Sequence, residues 1–304
     1  MAKIKVKRIK TNAVEVRQRL LFYYNEKFFN KWMNKLKLDG LNYQQEEYIM
    51  RKWWATGVVA CSKPVGVPNN LGIDFKEDSI IFTPFAPQNV FNIYDWPTEA
   101  MPINTRGVKF VSDRPLSVDK EIVIGYIQKN HKSIYSSIEA KINEIVDIEM
   151  TIRICIFTQK MPWLIGTTPE NKQEVEDLIE GLQSDEPFLF TTLEEPEKAK
   201  SLISGAPYIL DKLQNMVQVL VNEILTFLGC NNIGIPEKKE HLLNEEVNAN
   251  NQDIQENSDQ FLEMAKYFFD RVDKVFGKKV TPKAPHEAQE ASYEYQEVEE
   301  VEDE

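Results

Sequence analysis

A mainly α protein with one small β-rich region and one short α/β insert is the fold class this sequence predicts, on three observations. Apolar residues recur at helical spacing through Ile134–Ile152, Leu210–Leu228 and Ile254–Phe276. Residues 58–127 instead break into short apolar runs separated by Pro64, Pro68, Pro84, Pro87, Pro97, Pro102 and Pro115. Apolar content of 42% and aromatic content of 11% in 304 residues suffice for a large core, in one elaborate domain or two.

The elements follow in order. Residues 1–11 alternate basic and apolar through Lys3, Lys5, Lys7, Arg8 and Lys10, which reads as a free basic arm sooner than an edge strand. Val14–Leu38 reads as a helix: Val14, Leu20, Leu21, Tyr24, Phe28, Trp32 and Leu36 share a face, Asn12 is a candidate cap and Asp39-Gly40 the stop. A second helix is expected over Tyr43–Trp54, ended by Gly57. Strands are expected at Val58–Cys61, Ser79–Phe82, Val90–Tyr94, Val108–Val111 and Ile122–Tyr126, mostly antiparallel.

Ile134–Phe157 carries Ile134, Ile138, Ile142, Ile145, Ile148 and Ile152 at helical spacing. Its end, Thr151–Phe157, alternates and by itself passes for a strand. Trp163–Gly166 and Pro187–Thr191 read as strands around an acidic helix, Pro169–Leu182, with Pro169 in its first turn. Pro207–Leu228 reads as a helix of about 33 Å ending at Gly229. A polar, Asn-rich loop follows, and then a helix over about Gln252–Phe276. The stretch from Pro282 is acidic and aperiodic and reads as disordered.

Charge narrows the function. The net charge is −12, unevenly spread: residues 1–40 hold eleven Lys/Arg against three acids, and residues 283–304 nine acids against one lysine. A protein that grips DNA tightly is basic overall or on one face. An acidic wall repels phosphate and lets a strand slide, although solubility alone explains the same composition. No apolar run reaches the ~18 residues of a membrane span, and no signal peptide is expected. Cys61, Cys155 and Cys230 lie far apart and match neither a redox pair nor a metal site, so reduced thiols and an intracellular origin are expected. There is no phosphate-cradling G-x-x-x-x-G-K-[ST], no G-x-S-x-G, and no His–Cys cluster around His131, His241 or His286. The pairs Asp147/Glu149 and Glu245/Glu246 fit solvated helix faces better than acid/base dyads. No enzyme, no cofactor and no metal is expected.

One segment carries a resemblance. It reads Gly205-Ala206-Pro207-Tyr208, Asp211-Lys212-Leu213, Asn222-Glu223, Thr226-Phe227-Leu228-Gly229, Glu237-Lys238-Lys239-Glu240 and Glu245-Glu246-Val247, closing at Phe276-Gly277. In order and spacing it resembles the portal (upper collar, head–tail connector) proteins of small short-tailed phages that replicate double-stranded DNA by protein priming. The resemblance is strongest over residues 205–277. It continues collinearly over 134–208 through Lys160-Met161-Pro162-Trp163-Leu164-Ile165.

The resemblance implies a portal fold, with long stem helices forming a ring-shaped oligomeric channel. It divides the chain into a basic arm (1–11), a wing (12–130), a first stem helix (131–159), an α/β clip (160–205), a second stem helix (206–229), a channel loop (230–250), a wing or crown helix (251–281) and an acidic tail (282–304). It implies a homo-oligomer, a dodecamer, around double-stranded DNA at one capsid vertex. Its partners are then the major capsid and scaffolding proteins, a packaging ATPase with or without a packaging RNA between them, and a lower collar or tail protein; no membrane is involved.

By the same resemblance Lys212 faces the channel, where a surface or intersubunit salt bridge explains it as well. Lys238 and Lys239 match loop lysines that look into the channel, against the plain reading of a solvated loop. The family's other basic ring falls on Ile203, so it is absent or displaced toward Lys200. The arm lies where the portal meets shell and packaging RNA. The aromatics Phe22, Tyr23, Phe28, Phe29 and Trp32 fit core and subunit contact better than a base-stacking platform. The alternative from another class is a monomeric or dimeric nucleic-acid-binding accessory protein using the basic arm.

Overall fold

The computed structural model describes residues 13–63, 80–88, 90–103, 112, 114–160, 163–164, 202–203, 209–232 and 244–284. It is rich in helix, with small sheets. The described elements are α1 (Ala13–Met33), β1 (Lys37–Asp39), α2 (Tyr43–Ala55), β2 (Val58–Ser62), β3 (Ile81–Thr83), β4 (Phe85–Pro87), β5 (Glu99–Pro102), β6 (Leu116–Ser117), β7 (Ile122–Tyr126), α3 (Ile134–Lys160), β8 (Trp163–Leu164), β9 (Leu202–Ile203), α4 (Leu210–Phe227), α5 (Asn244–Phe276) and β10 (Thr281–Lys283). They fall into two units, Gln18–Asn143 with Val221–Glu304, and Met1–Arg17 with Glu144–Leu220.

In the larger unit, β2 lies between β3 and β7 in an antiparallel sheet, with Ala60 opposite both Thr83 and Ile124. A second antiparallel sheet runs β4-β5-β6. Ala60, Ile122 and Ile124 join Ala100 and Leu116 in one buried cluster. Val123 and Gly125 point to the other side by strand alternation, and there α5 covers β7. The close approach demands glycine: a Cβ on Gly125 would overlap the Phe268 ring. Trp53 of α2 fills the same layer, donating its indole N–H to the Gly125 carbonyl (3.2 Å) and meeting Phe268 and Phe269 edge-on. Trp32 of α1 donates to the Met50 carbonyl (2.8 Å) and packs on Phe261 of α5.

Helix α2 begins with a complete capping box. Asn42 Oδ1 accepts the Gln45 N–H (2.9 Å), and Gln45 Oε1 accepts the Asn42 N–H (3.3 Å). Helix α1 stops at Met33, not Leu38. Beyond it Leu36 and Leu38 are buried while Lys37 and Asp39 are exposed, a two-residue period that suits a strand. That strand forms because β10 pairs with it, Leu38 opposite Pro282. The acidic tail therefore does not begin at Pro282. Val90–Tyr94 is not a strand either: Asn92 Oδ1 accepts the N–H groups of Tyr94 (2.9 Å) and Trp96 (3.1 Å) and bends the chain, with Asp95 at φ +56°. Strands β4, β5 and β6 were not anticipated. Asn12, Val108–Val111 and most of the tail lie outside the described residues.

Helix α5 has 33 residues, about 50 Å. It begins at Asn244, inside the expected loop 230–250, and so takes residues 244–250 from that loop. Val247 stands one heptad before Ile254, which precedes Phe261 and Phe268 at the same spacing.

In the smaller unit, α3 continues through the alternating stretch Thr151–Phe157 as helix, which explains why Ile152 is buried and Ile154 exposed. Arg17 pairs with Asp147. Strand β8 starts where expected, but its antiparallel partner is β9, with Trp163 opposite Ile203. Pro187–Thr191 and the acidic helix Pro169–Leu182 lie outside the described residues. Helix α4 starts at Leu210. No described helix is long and apolar enough to cross a membrane.

One local ion pair makes a testable pH prediction. Arg114 grips Glu121 with two bonds (2.5 and 3.0 Å), and the Ser117 N–H adds a third (3.1 Å). The Arg114 hydrogen bond first, and the Ser117 N–H second, hold the Glu121 carboxyl at about 2 against an ordinary 4.5. The stabilisation is then complete above pH 4.5 and is lost as pH falls from there toward about 2. Both side chains are exposed, so the effect is small. Glu121→Gln is expected to lose less of its urea midpoint than wild type between about pH 6 and about pH 3. Equal losses would mean that the pair contributes nothing.

Candidate functional site

The described residues place one of the expected channel lysines. Lys212 is exposed on the first turn of α4. Lys238 and Lys239, and the arm residues Lys3, Lys5, Lys7, Arg8 and Lys10, lie outside the described residues. What the structure does describe is the root from which the expected channel loop departs, at the end of α4.

That root is held by a set of polar bonds. The last turn of α4 closes with Leu228 N–H on the Ile224 carbonyl (2.9 Å), Gly229 N–H on Thr226 (2.9 Å) and Cys230 N–H on Leu225 (2.8 Å). Gly229 has φ +66°, the left-handed conformation that ends helices. A Cβ there would also crowd the Ser258 backbone. Asn232 Nδ2 then folds back, donating to the Asn222 carbonyl (3.0 Å) and to Thr226 Oγ1 (2.7 Å). Asn257 of α5 donates to the Thr226 carbonyl (3.0 Å).

Lys35 completes the arrangement. It is 7% exposed, and its ammonium donates to the Gly229 carbonyl at 2.6 Å. A cation at a helix C-terminus meets the negative end of the helix dipole and a carbonyl that no longer has a helical partner. Burial pushes the Lys35 pKa down, opposed by the nearby Cys230 and Asp259. Burial pushes Cys230 up, opposed by Lys35 and Lys31. Lys35 was not singled out in the sequence. Its signal was faint: a lysine flanked by Trp32, Leu36 and Leu38 in a run that buries itself.

The aromatics of α1 divide as their spacing dictates. Phe28 and Trp32 are fully buried, while Phe22 and Tyr23 are exposed. Cys61 is buried and Cys155 and Cys230 are half-buried, none of them in a disulfide among the described residues. Burial pushes the Cys61 thiol up, which disfavours a nucleophilic thiolate. Among the described residues no group of His, Cys, Asp and Glu is arranged to hold a metal. The geometry offers helix faces, a pinned loop root and exposed apolar side chains, which are the means of assembly and contact.

The family model described as Phage Connector (GP10) matches residues 100–289, a span that takes in α3, α4 and α5. Among solved structures, the chain is similar to one described as the portal and tail of native bacteriophage P68. The identity is 12%, over 93% of this chain and 92% of that one, with a TM-score of 0.46. The family match covers more than half of the 304 residues, and the chain belongs to the phage connector family.

Proposed function

We propose that the chain is the portal subunit of a phage particle: a dodecameric ring at the head–tail junction whose axial channel passes double-stranded DNA. The observation that carries this reading is the family match over residues 100–289. In this reading the ring seeds capsid assembly in the host cytoplasm with the major capsid and scaffolding proteins. It admits DNA during packaging, releases it at ejection, and docks first a separate packaging ATPase and then the tail. Helices α3 and α4 are the stems, residues 160–205 the clip, and α5 the wing or crown helix. A ring of copies covers apolar residues that one subunit leaves in water, among them Ile154, Ile156 and Met216.

Lys212 lines the stem, where its exposure leaves it free to meet phosphate. The arm residues Lys3, Lys5, Lys7, Arg8 and Lys10 contact the shell or a packaging RNA. With α5 beginning at Asn244, the channel loop shortens to about residues 231–243 and still holds Lys238 and Lys239. Flanked by Glu237 and Glu240, these two lysines make weak, salt-sensitive contacts that check outward slippage of DNA.

Two measurements test this. The mass of the purified protein is expected to be many times 35.3 kDa, with rings in negative stain; one or two copies per particle would remove the portal reading. Lys238→Ala with Lys239→Ala is expected to leave ring formation and DNA entry intact and to lower retention of DNA in filled particles. Normal retention would remove the clamp role and leave the ring untouched.

A further inference from the structure

The turn at residues 90–98 is an apolar knob held out in water. Ile93 and Tyr94 are 88% and 81% exposed, with Val90 and Phe91 exposed beside them. The knob is built, not slack. Beyond the two bonds to Asn92 Oδ1, the Asn92 N–H bonds the Trp96 carbonyl (2.9 Å), and the Thr98 N–H and hydroxyl both reach the Val90 carbonyl (2.9 and 3.0 Å). Its base is equally fixed. Trp96 packs edge-on against Tyr126 and His131, and the Arg271 guanidinium lies over the Trp96 ring. Arg271 in turn pairs with Asp119 and donates to the Ile124 carbonyl (2.9 Å). Large apolar side chains displayed together in water mark a contact site, and rigid display lowers the ordering cost of binding.

The same unit carries a cleft that fits such a tip. It has a volume of about 340 Å³ and lies between the end of α1, β1 and the start of α2. Half-buried Met33 and exposed Tyr43 offer its accessible apolar surface, over a floor made by the buried Leu36 and Met50, and a methionine suits an aromatic or branched guest. Tyr43, itself strongly exposed, stands at its edge with Lys37 and Glu46, which pair at 3.0 Å. The polar groups match as well: the Tyr94 hydroxyl is a donor for the rim carboxylates, and exposed Asp95 beside it is a partner for Lys37. The exposure of Ile93 and Tyr94 shows that a copy does not fill the cleft with its own knob.

We propose that Ile93 and Tyr94 of one copy dock against Met33 and Tyr43 in this cleft of a second copy. Knob and cleft are different surfaces, so every docked copy keeps one of each for the next neighbour. Such a head-to-tail contact closes into a ring when the rotation allows. The inference rests on the ring reading above and names the contact that builds it.

The test uses the full chain. Ile93→Asp with Tyr94→Asp on the knob, and separately Tyr43→Asp at the cleft edge, change only exposed positions, and unaltered melting confirms the fold. Each variant is expected to weaken association at least about tenfold by sedimentation or mass photometry. A photo-crosslinking residue placed at position 93 is expected to attach to residues 33–50 of another copy. Full-size rings from the knob variant, or crosslinks confined to other segments, would overturn the docking and leave the ring reading standing. Intact rings that no longer enter capsids would assign the knob to the shell protein and overturn it equally. A wild-type chain that stays monomeric at every concentration would remove the ring reading, and the docking with it.

Discussion

Ile224→Asp is expected to abolish a stable subunit, not just to loosen contacts between subunits. Ile224 is fully buried on α4, with Val221 and Leu228 buried along the same face. Removing the side chain's burial costs about 2–5 kcal/mol on its own. A carboxylate buried in its place either stays charged in an apolar face or takes up a proton, and both add several kcal/mol. Domains of ordinary stability hold about 5–15 kcal/mol in total, so the sum removes most of it. The readout is soluble yield and the urea midpoint of whatever remains. A soluble variant that melts within a few degrees of wild type would mean that this face of α4 is not core.

Trp53→Ala should cost about 4 kcal/mol, at the large end for a single core truncation. The indole is fully buried between Phe268 and Phe269 and is the hydrogen-bond donor to the Gly125 carbonyl. Truncation opens a cavity where α2, α5 and β7 meet and leaves that carbonyl without its indole donor. The surroundings have little freedom to collapse, because Gly125 already has Phe268 against it. Trp53→Phe keeps most of the ring volume and loses only the N–H, so it should cost about half as much. Equilibrium urea unfolding of the two variants separates the terms. Equal costs would make the hydrogen bond dominant, and a Trp53→Ala loss under about 1 kcal/mol would mean that the layer repacks freely.

The long helices were legible because their signal is local. The six isoleucines from Ile134 to Ile152 fall on one helical face, and α3 buries all of them. The strand ends of the β-region were legible where the run was apolar on both sides, as at Ile122–Tyr126, which is β7 to the residue. Val90–Tyr94 has the same apolar content and became a knob, because the Asn92 side chain outbids a strand ladder for the nearby N–H groups. Likewise the helical spacing continues through Leu36, yet Lys37–Asp39 pairs with β10, some 240 residues away, as the register Leu38 to Pro282 records. A local pattern cannot weigh a partner that far along the chain.

Of the expected site residues, the described structure places Lys212 on an exposed turn and leaves the arm and loop lysines as a proposal. The family itself was legible, since order and spacing over residues 205–277 are properties of the chain alone. So were the helix-rich class and the stop at Gly229, each set by residue chemistry acting over a few neighbours. The tertiary structure alone decided where α1 ends and that Lys35 is buried on the Gly229 carbonyl. Each of these depends on groups brought together from distant parts of the chain, where burial and unmet hydrogen bonds outweigh local propensity.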